Sequence, residues 1–219
     1  MRKPLRLAAI VLLACTAPAV ATAADTFTQK AQSQAPQWTR RAASDMQSLE
    51  NQLIVTLDSL RYVLNGDPTQ LRAAYAQYSD DLDRAHGQAR RVDADIAEVR
   101  TQSAAYLATL DKDYAAIRNE ELRRSTRQRR DQIDQRLQAL QAAYDKAKAP
   151  LDAYLSRLDD VRVVLRNDLT TPGVQAIAQT GVVRSADADA TRVREGLAQT
   201  RASGDALAGE LSAPESASR

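Results

Sequence analysis

The sequence predicts an all-α protein: an elongated antiparallel helical bundle with a long coiled-coil hairpin at its centre. Three observations carry that expectation. The 219 residues contain one Trp, one Phe, seven Gly and seven Pro, against an abundance of Ala, Leu, Arg, Asp and Gln. That is the bias of long helices and not of sheets. Apolar residues recur at alternating steps of three and four over most of the chain, the period of one helix face. The clearest Pro and Gly clusters fall where one such run ends and the next begins.

The chain opens with Arg2, Lys3 and Arg6, followed by an apolar stretch over residues 7–20 and then Ala21, Thr22 and Ala23. A basic lead, a short apolar run and a small-x-small site form a cleavable export signal, here residues 1–23. The run is interrupted by Pro18 and is shorter than the roughly twenty residues a membrane span needs. Removing it moves the formal net charge from +2 to −1, so overall charge offers no argument for nucleic acid. The single cysteine, Cys15, follows Leu12, Leu13 and Ala14 in an order that resembles a lipobox. The expectation is therefore a periplasmic protein with a cleaved signal, the alternative being a lipoprotein anchored at Cys15. Beyond residue 23 there is no cysteine, and stability must come from packing and not from disulfides.

Residues 24–35 are polar and aperiodic and are expected to be a flexible lead-in. A single helical domain should then fill residues 36–211, with a disordered tail over 212–219. Its first helix, about 36–65, carries Trp38, Ala42, Met46, Leu49, Leu53, Leu57, Leu60 and Leu64 on one face. Asn65, Gly66, Asp67 and Pro68 end it. Gly66 suits a left-handed C′ residue, Asp67 a cap reinforced by Gln70, and Pro68 the first helical position. The second helix, about 68–118, runs Leu71, Tyr75, Tyr78, Leu82, Ala85, Ala89, Val92, Ile96, Val99, Ser103, Tyr106 and Leu110 without a miss. At Asp113 the register slips to Tyr114 and Ile117, a stutter that locally unwinds a supercoil.

A second seam follows: Ile133, Leu137, Leu140, Tyr144, Ala147, Leu151, Tyr154, Leu158, Val161 and Leu165. Pro150 lies inside it, yet the heptad phase is the same on both sides. A helix that continues through Pro150 with a kink, not a loop, is predicted over about 121–168. Thr170, Thr171 and Pro172 open a fourth helix, about 172–211, with a narrow stripe of small residues from Val174 and Ala178 to Leu211.

Between the two seams, residues 118–132 have no Gly or Pro, so one continuous helix and a reversal both remain open there. Asn119 and Ser125 are acceptable caps, and the helical stretches on either side are nearly equal in length. A hairpin hides both seams, whereas one straight helix leaves them exposed unless it oligomerises, so a homo-oligomer stays possible. In the hairpin reading each arm is about 70 Å long, with four helices at the base and two towards the tip.

Chemistry is sparse. The only histidine, His86, sits beside the seam on what should be an exposed flank, and one histidine without cysteine falls short of a metal site. The many carboxylates lie three or four residues from arginines, as on solvated helix faces. No Gly-rich phosphate loop is present. We expect no enzyme, no cofactor and no metal. The tyrosines at 75, 78, 106, 144 and 154 occupy seam positions and read as core residues whose hydroxyls reach the bundle edge; an aromatic binding stripe is the alternative. One local feature rises above background: Arg123, Arg124, Arg127, Arg129 and Arg130, with Arg118 nearby. Glu120, Glu121, Asp131 and Asp134 partly neutralise them. Such a cluster suits an anion contact, to lipid headgroups, cell-wall polymer or an acidic protein. Nucleic acid is not expected, because the segment lacks interleaved aromatics.

Ile117, Asn119, Leu122, Arg123 and Ser125, the Ala149–Pro150–Leu151 element and the run Val163, Val164, Leu165, Arg166, Asn167, Asp168, Leu169 together resemble a bacterial family labelled domain of unknown function 2959. The likeness covers about residues 49–211. It departs where Asn167 stands in place of a histidine. The resemblance implies exported helical proteins, often lipidated, and carries no activity with it. The functional expectation is thus a periplasmic coiled-coil interaction or scaffold protein that meets an envelope protein or an anionic envelope surface. A client-binding chaperone that uses its helical arms is the rival.

Overall fold

The computed structural model describes residues 23–212, with side chains from residue 37 onward. All of the expected signal but Ala23, and all of the expected tail but Ser212, lie outside the described residues. Five α-helices follow one another: α1 Ala23–Asn65, α2 Leu71–Ala116, α3 Glu120–Asn167, α4 Thr171–Gln179 and α5 Val182–Ser212, with one 3-10 turn at Pro68–Gln70. α1, α2, α3 and α5 alternate in direction and form an up-down-up-down bundle. Its base holds the α1–α2 turn and α4, and its tip the α2–α3 turn. α1 lies along α2, α5 along α3, and α1 and α5 close the ring.

Each seam read from the sequence is the buried ridge of its helix. Leu49, Leu53 and Leu60 of α1, Tyr78, Leu82 and Val92 of α2, and Ile133, Leu158 and Leu165 of α3 have almost no exposed surface. Burial of such side chains stabilises by about 1.5–3 kcal/mol each. The ridges are broader than a two-stranded seam. Ala74 and Leu107 of α2 and Ala143 and Leu155 of α3 are buried beside them, because each arm packs against two neighbours and not one. α3 runs unbroken through Pro150, with Ala147 and Leu151 buried on either side of it.

The base turn departs from its expected chemistry. Gly66 does not adopt the left-handed conformation; among the described residues Gly181 alone has positive φ. Glycine is required at 66 for a different reason, since a β-carbon there would collide with the Tyr62 carbonyl oxygen. Asp67 does cap, but it accepts from the Thr69 backbone N–H at 2.8 Å and from the Thr69 hydroxyl. The Gln70 side chain turns away to accept from the Tyr62 hydroxyl at 2.5 Å, so no capping box forms.

Three boundaries also differ. α1 begins at Ala23 and contains Pro36, because residues 23–35 hold no Gly or Pro to stop helical backbone. It is therefore almost as long as the arms. α5 reaches Ser212, at the level of Ile133, so the two-helix portion is confined to the last turns of the tip. The expected fourth helix is two. Thr180 ends α4, and Gly181 at φ 72° turns the chain into α5, a conformation that costs glycine nothing. In α4 the buried pair is Val174 and Ile177, and Ala178 is exposed.

The arginine tip, a candidate functional site

The reversal between the arms occupies Ile117, Arg118 and Asn119. α2 ends with the Ile117 N–H donating to the Tyr114 carbonyl at 3.2 Å. Asn119 then caps α3, its Oδ1 accepting from the N–H groups of Glu121 (2.9 Å) and Leu122 (3.1 Å). Of the two caps the sequence offers, Asn119 is the one used, because it stands where orphan N–H groups begin. Ser125 lies inside the helix. Glu120 and Glu121 sit in the first turn, where the positive end of the helix dipole favours them.

The five arginines grouped by the sequence divide by role. Arg123 points inward, donating from Nε (2.9 Å) and Nη2 (2.6 Å) to the Ile117 carbonyl. A cation thus satisfies the carbonyl of the residue that caps α2 and ties the turn shut. Arg130 spans the arms to Asp111, at 3.0 Å from Nε and 3.4 Å from Nη2, with Asp131 and Asp134 at 3.6 and 3.5 Å. The hydrogen bond to Asp111 is the main reason its guanidinium is held even more firmly in the charged form. Arg129 is half-buried. Arg124 and Arg127 are exposed, as is Arg118 at the turn, and none of the three has an ion pair or hydrogen bond among the described residues. Leu122 stands half exposed in the first turn of α3.

Two open hollows flank these side chains. One of about 320 Å3 lies between the arms, lined by Asp111, Tyr114, Ala115, Arg123 and Arg127. The other, of about 500 Å3, runs along the outer face of α3 past Arg124, Arg127, Gln128, Asp131, Gln132 and Gln135. Arg127 borders both. The arrangement can hold an anion from outside; it does not enclose one.

The remaining polar residues read from the sequence serve the fold. The Tyr78 hydroxyl donates to the Leu158 carbonyl at 2.7 Å and the Tyr144 hydroxyl to Asp93 at 2.6 Å. Tyr154 reaches across the bundle to the Leu53 carbonyl at 3.4 Å. Burial is the main force pushing all three phenols well above their ordinary range. Tyr75 is half-buried and reaches the Arg162 carbonyl at 3.4 Å, and Tyr106 is buried. His86 is not on a free flank. It is half-buried, with Nε2 2.8 Å from Asp159, whose other oxygen accepts from Arg162 at 2.6 Å. That pair links α2 to α3.

Buried carboxylates are what the pattern reading passed over. Asp81 is 2 % exposed and accepts from Gln77 (3.0 Å) and Arg84 (2.6 Å). Asp95 is 9 % exposed and meets Arg41 Nε at 3.1 Å. Both lie beside seam residues and look like surface charges until α1 is packed over α2. Among the described residues no three His, Cys, Asp or Glu side chains are grouped to hold a metal ion, and no helix is long and apolar enough to cross a membrane.

No curated protein and no solved structure matches the chain. A family model does match, over residues 37–208, which is the helical bundle from the start of its described side chains almost to the end of α5. The chain therefore belongs to the family described as protein of unknown function DUF2959.

Proposed function

We propose that this chain is an exported, non-enzymatic helical interaction protein of the cell envelope, and that its bundle is a stalk that carries the arginine tip to an anionic partner. The observation that carries this reading is the division among the arginines. Arg123 and Arg130 hold the tip together, which leaves Arg118, Arg124 and Arg127 outward and without internal partners among the described residues. Charged side chains that the fold does not use, gathered at one end of a braced hairpin, are positioned for an external anion. Export rests on the basic, apolar and small-residue order of residues 1–23.

The rival reading, a client-binding chaperone, needs apolar stripes open along the arms. The seams are covered by α1 and α5, and the large apolar side chains that remain exposed are Ile54, Val55, Tyr62, Leu122, Val163 and Val164. Among the described residues the first three lie on α1 and the last three on α3, with Leu122 at the opposite end from Val163 and Val164, so no continuous stripe runs along an arm, which favours the scaffold reading.

The test is photo-crosslinking in intact cells from a probe at Ser125, compared with one at Arg166 near the base, alongside fractionation of the envelope. Adducts from Ser125 that vanish when Arg118, Arg124 and Arg127 are changed to Gln, in exported protein, are the expected result. Protein that stays in the cytoplasm, or adducts indifferent to the three substitutions, would overturn the proposal. Suppression of client aggregation by the purified chain would move the assignment to the chaperone.

A further inference from the structure

The direction of α1 decides what lies next to the tip. α1 runs antiparallel to α2, and the two are in register where Arg41 meets Asp95. From Arg41 the helix backbone continues back to Ala23, about 27 Å at 1.5 Å per residue. From Asp95, α2 continues about 33 Å to the turn at Ile117. The first residue of α1 is thus within about one helical turn of the tip's level. The chain before it holds the apolar stretch of residues 7–20. Whatever processing the N-terminus undergoes, α1 is thus entered at the arginine end and not at the base.

The same end carries the one chemistry that suits a bilayer surface. Residues 117–134 contain six arginines against Glu120, Glu121, Asp131 and Asp134. Arg118, Arg124 and Arg127 are exposed, and Leu122, 51 % exposed, is the large apolar side chain at the same end, on the flank of α3 away from Arg124 and Arg127. An acidic protein would be matched by the cations alone; an exposed leucine at the same end of the hairpin, met together with the cations in an end-on approach, fits the boundary between headgroups and acyl chains. The turn itself needs no partner to be ordered, since Asn119 and Arg123 already close it.

We propose that the tip is a peripheral membrane contact approached end-on, in which Arg118, Arg124 and Arg127 bind the phosphates of anionic lipid headgroups and Leu122, on the other flank of α3, enters the interface. This rests on the reading of the tip as an anion contact and names its partner as a lipid surface. A basic residue close to an anionic surface is worth about a fivefold gain in binding. Three arginines therefore support a contact that is reversible alone and firm when a lipid anchor or a second signal adds to it.

The full chain, purified from expressing cells with the N-terminus they leave it, is sedimented with phosphatidylcholine vesicles and with vesicles containing roughly a third phosphatidylglycerol. Helical ellipticity confirms that each variant is folded. The wild type is expected to favour the anionic vesicles at least tenfold, a preference that falls as salt rises. The Arg118→Gln, Arg124→Gln, Arg127→Gln variant should lose that preference, and Leu122→Ser should weaken it severalfold. A variant with the same charge loss at the base, Arg72→Gln, Arg166→Gln, Arg184→Gln, should keep it. Equal binding to both vesicle types, an unaffected tip variant, or an equal loss from the base variant each overturns the lipid assignment. If tip crosslinks to a protein persist in cells while anionic vesicles are not preferred, the interaction role stands and the lipid partner falls. If both fail, neither stands.

Discussion

Gly196 of α5 lies against Ala147 of α3: a β-carbon built on Gly196 would sit 2.8 Å from the Ala147 β-carbon and 3.1 Å from its α-carbon. The neighbour is largely backbone and cannot yield, so α5 and α3 approach as closely as glycine permits. Gly196→Ala gains up to about 1 kcal/mol of helix propensity but forces the helices apart at a cost of about 1–3 kcal/mol. A net loss of about 1 kcal/mol is expected in urea unfolding. Gly87, with open space where its β-carbon would go, provides the contrast: Gly87→Ala should stabilise by up to about 1 kcal/mol.

Arg123 and Arg124 are neighbours with opposite uses. Arg123→Gln removes the fork onto the Ile117 carbonyl and should destabilise by about 1–2 kcal/mol. Arg124→Gln should change stability by less than about 0.5 kcal/mol. Hydrogen exchange of the amides at 117–122 checks the same point, with protection lost in the first variant and kept in the second.

The two buried aspartates give opposite pH responses. Burial raises the Asp95 carboxyl most, and its hydrogen bond and charge repulsion with Asp45 add to this against Arg41. A folded-state value above the unfolded one contributes stability that is fully present below the unfolded value, near 3.9, and is lost as pH rises through the folded value. Asp95→Asn should abolish that fall and raise stability at neutral pH. Burial also raises Asp81, but Gln77, Arg84 and Ser59 together outweigh it, so its value is lowered. Its contribution is present above the unfolded value and is lost as pH falls through the folded one. Asp81→Asn should cost about 1–3 kcal/mol at neutral pH and converge on the wild type in acid. Denaturant melts across the acid range decide both.

Tyr78 tests the polar wiring of the core. Tyr78→Phe keeps the buried ring and loses the 2.7 Å bond to the Leu158 carbonyl, at an expected cost of about 0.5–1.5 kcal/mol. In an alkaline ultraviolet titration of the wild type, the Tyr78, Tyr144 and Tyr154 phenols should ionise only as the bundle unfolds.

The apolar period by itself determined the three long helices α1 to α3, the identity of their buried ridges and the continuity of α3 through Pro150, because burial of a helix face demands that spacing wherever the chain goes; it did not show the break at Gly181 that divides the last helix in two. It also marked the arginine segment as unusual. What it left open was decided by which helix lies against which. Gly66 serves a close contact with Tyr62 and not a left-handed turn. Asp81 and Asp95 are buried only because α1 covers α2. Arg123 and Arg130 became structural because Ile117 and Asp111 are brought within reach of them by the reversal, which left Arg118, Arg124 and Arg127 outward. Charges in a sequence look alike. Only their neighbours across the bundle separate those that hold the fold from those it leaves free.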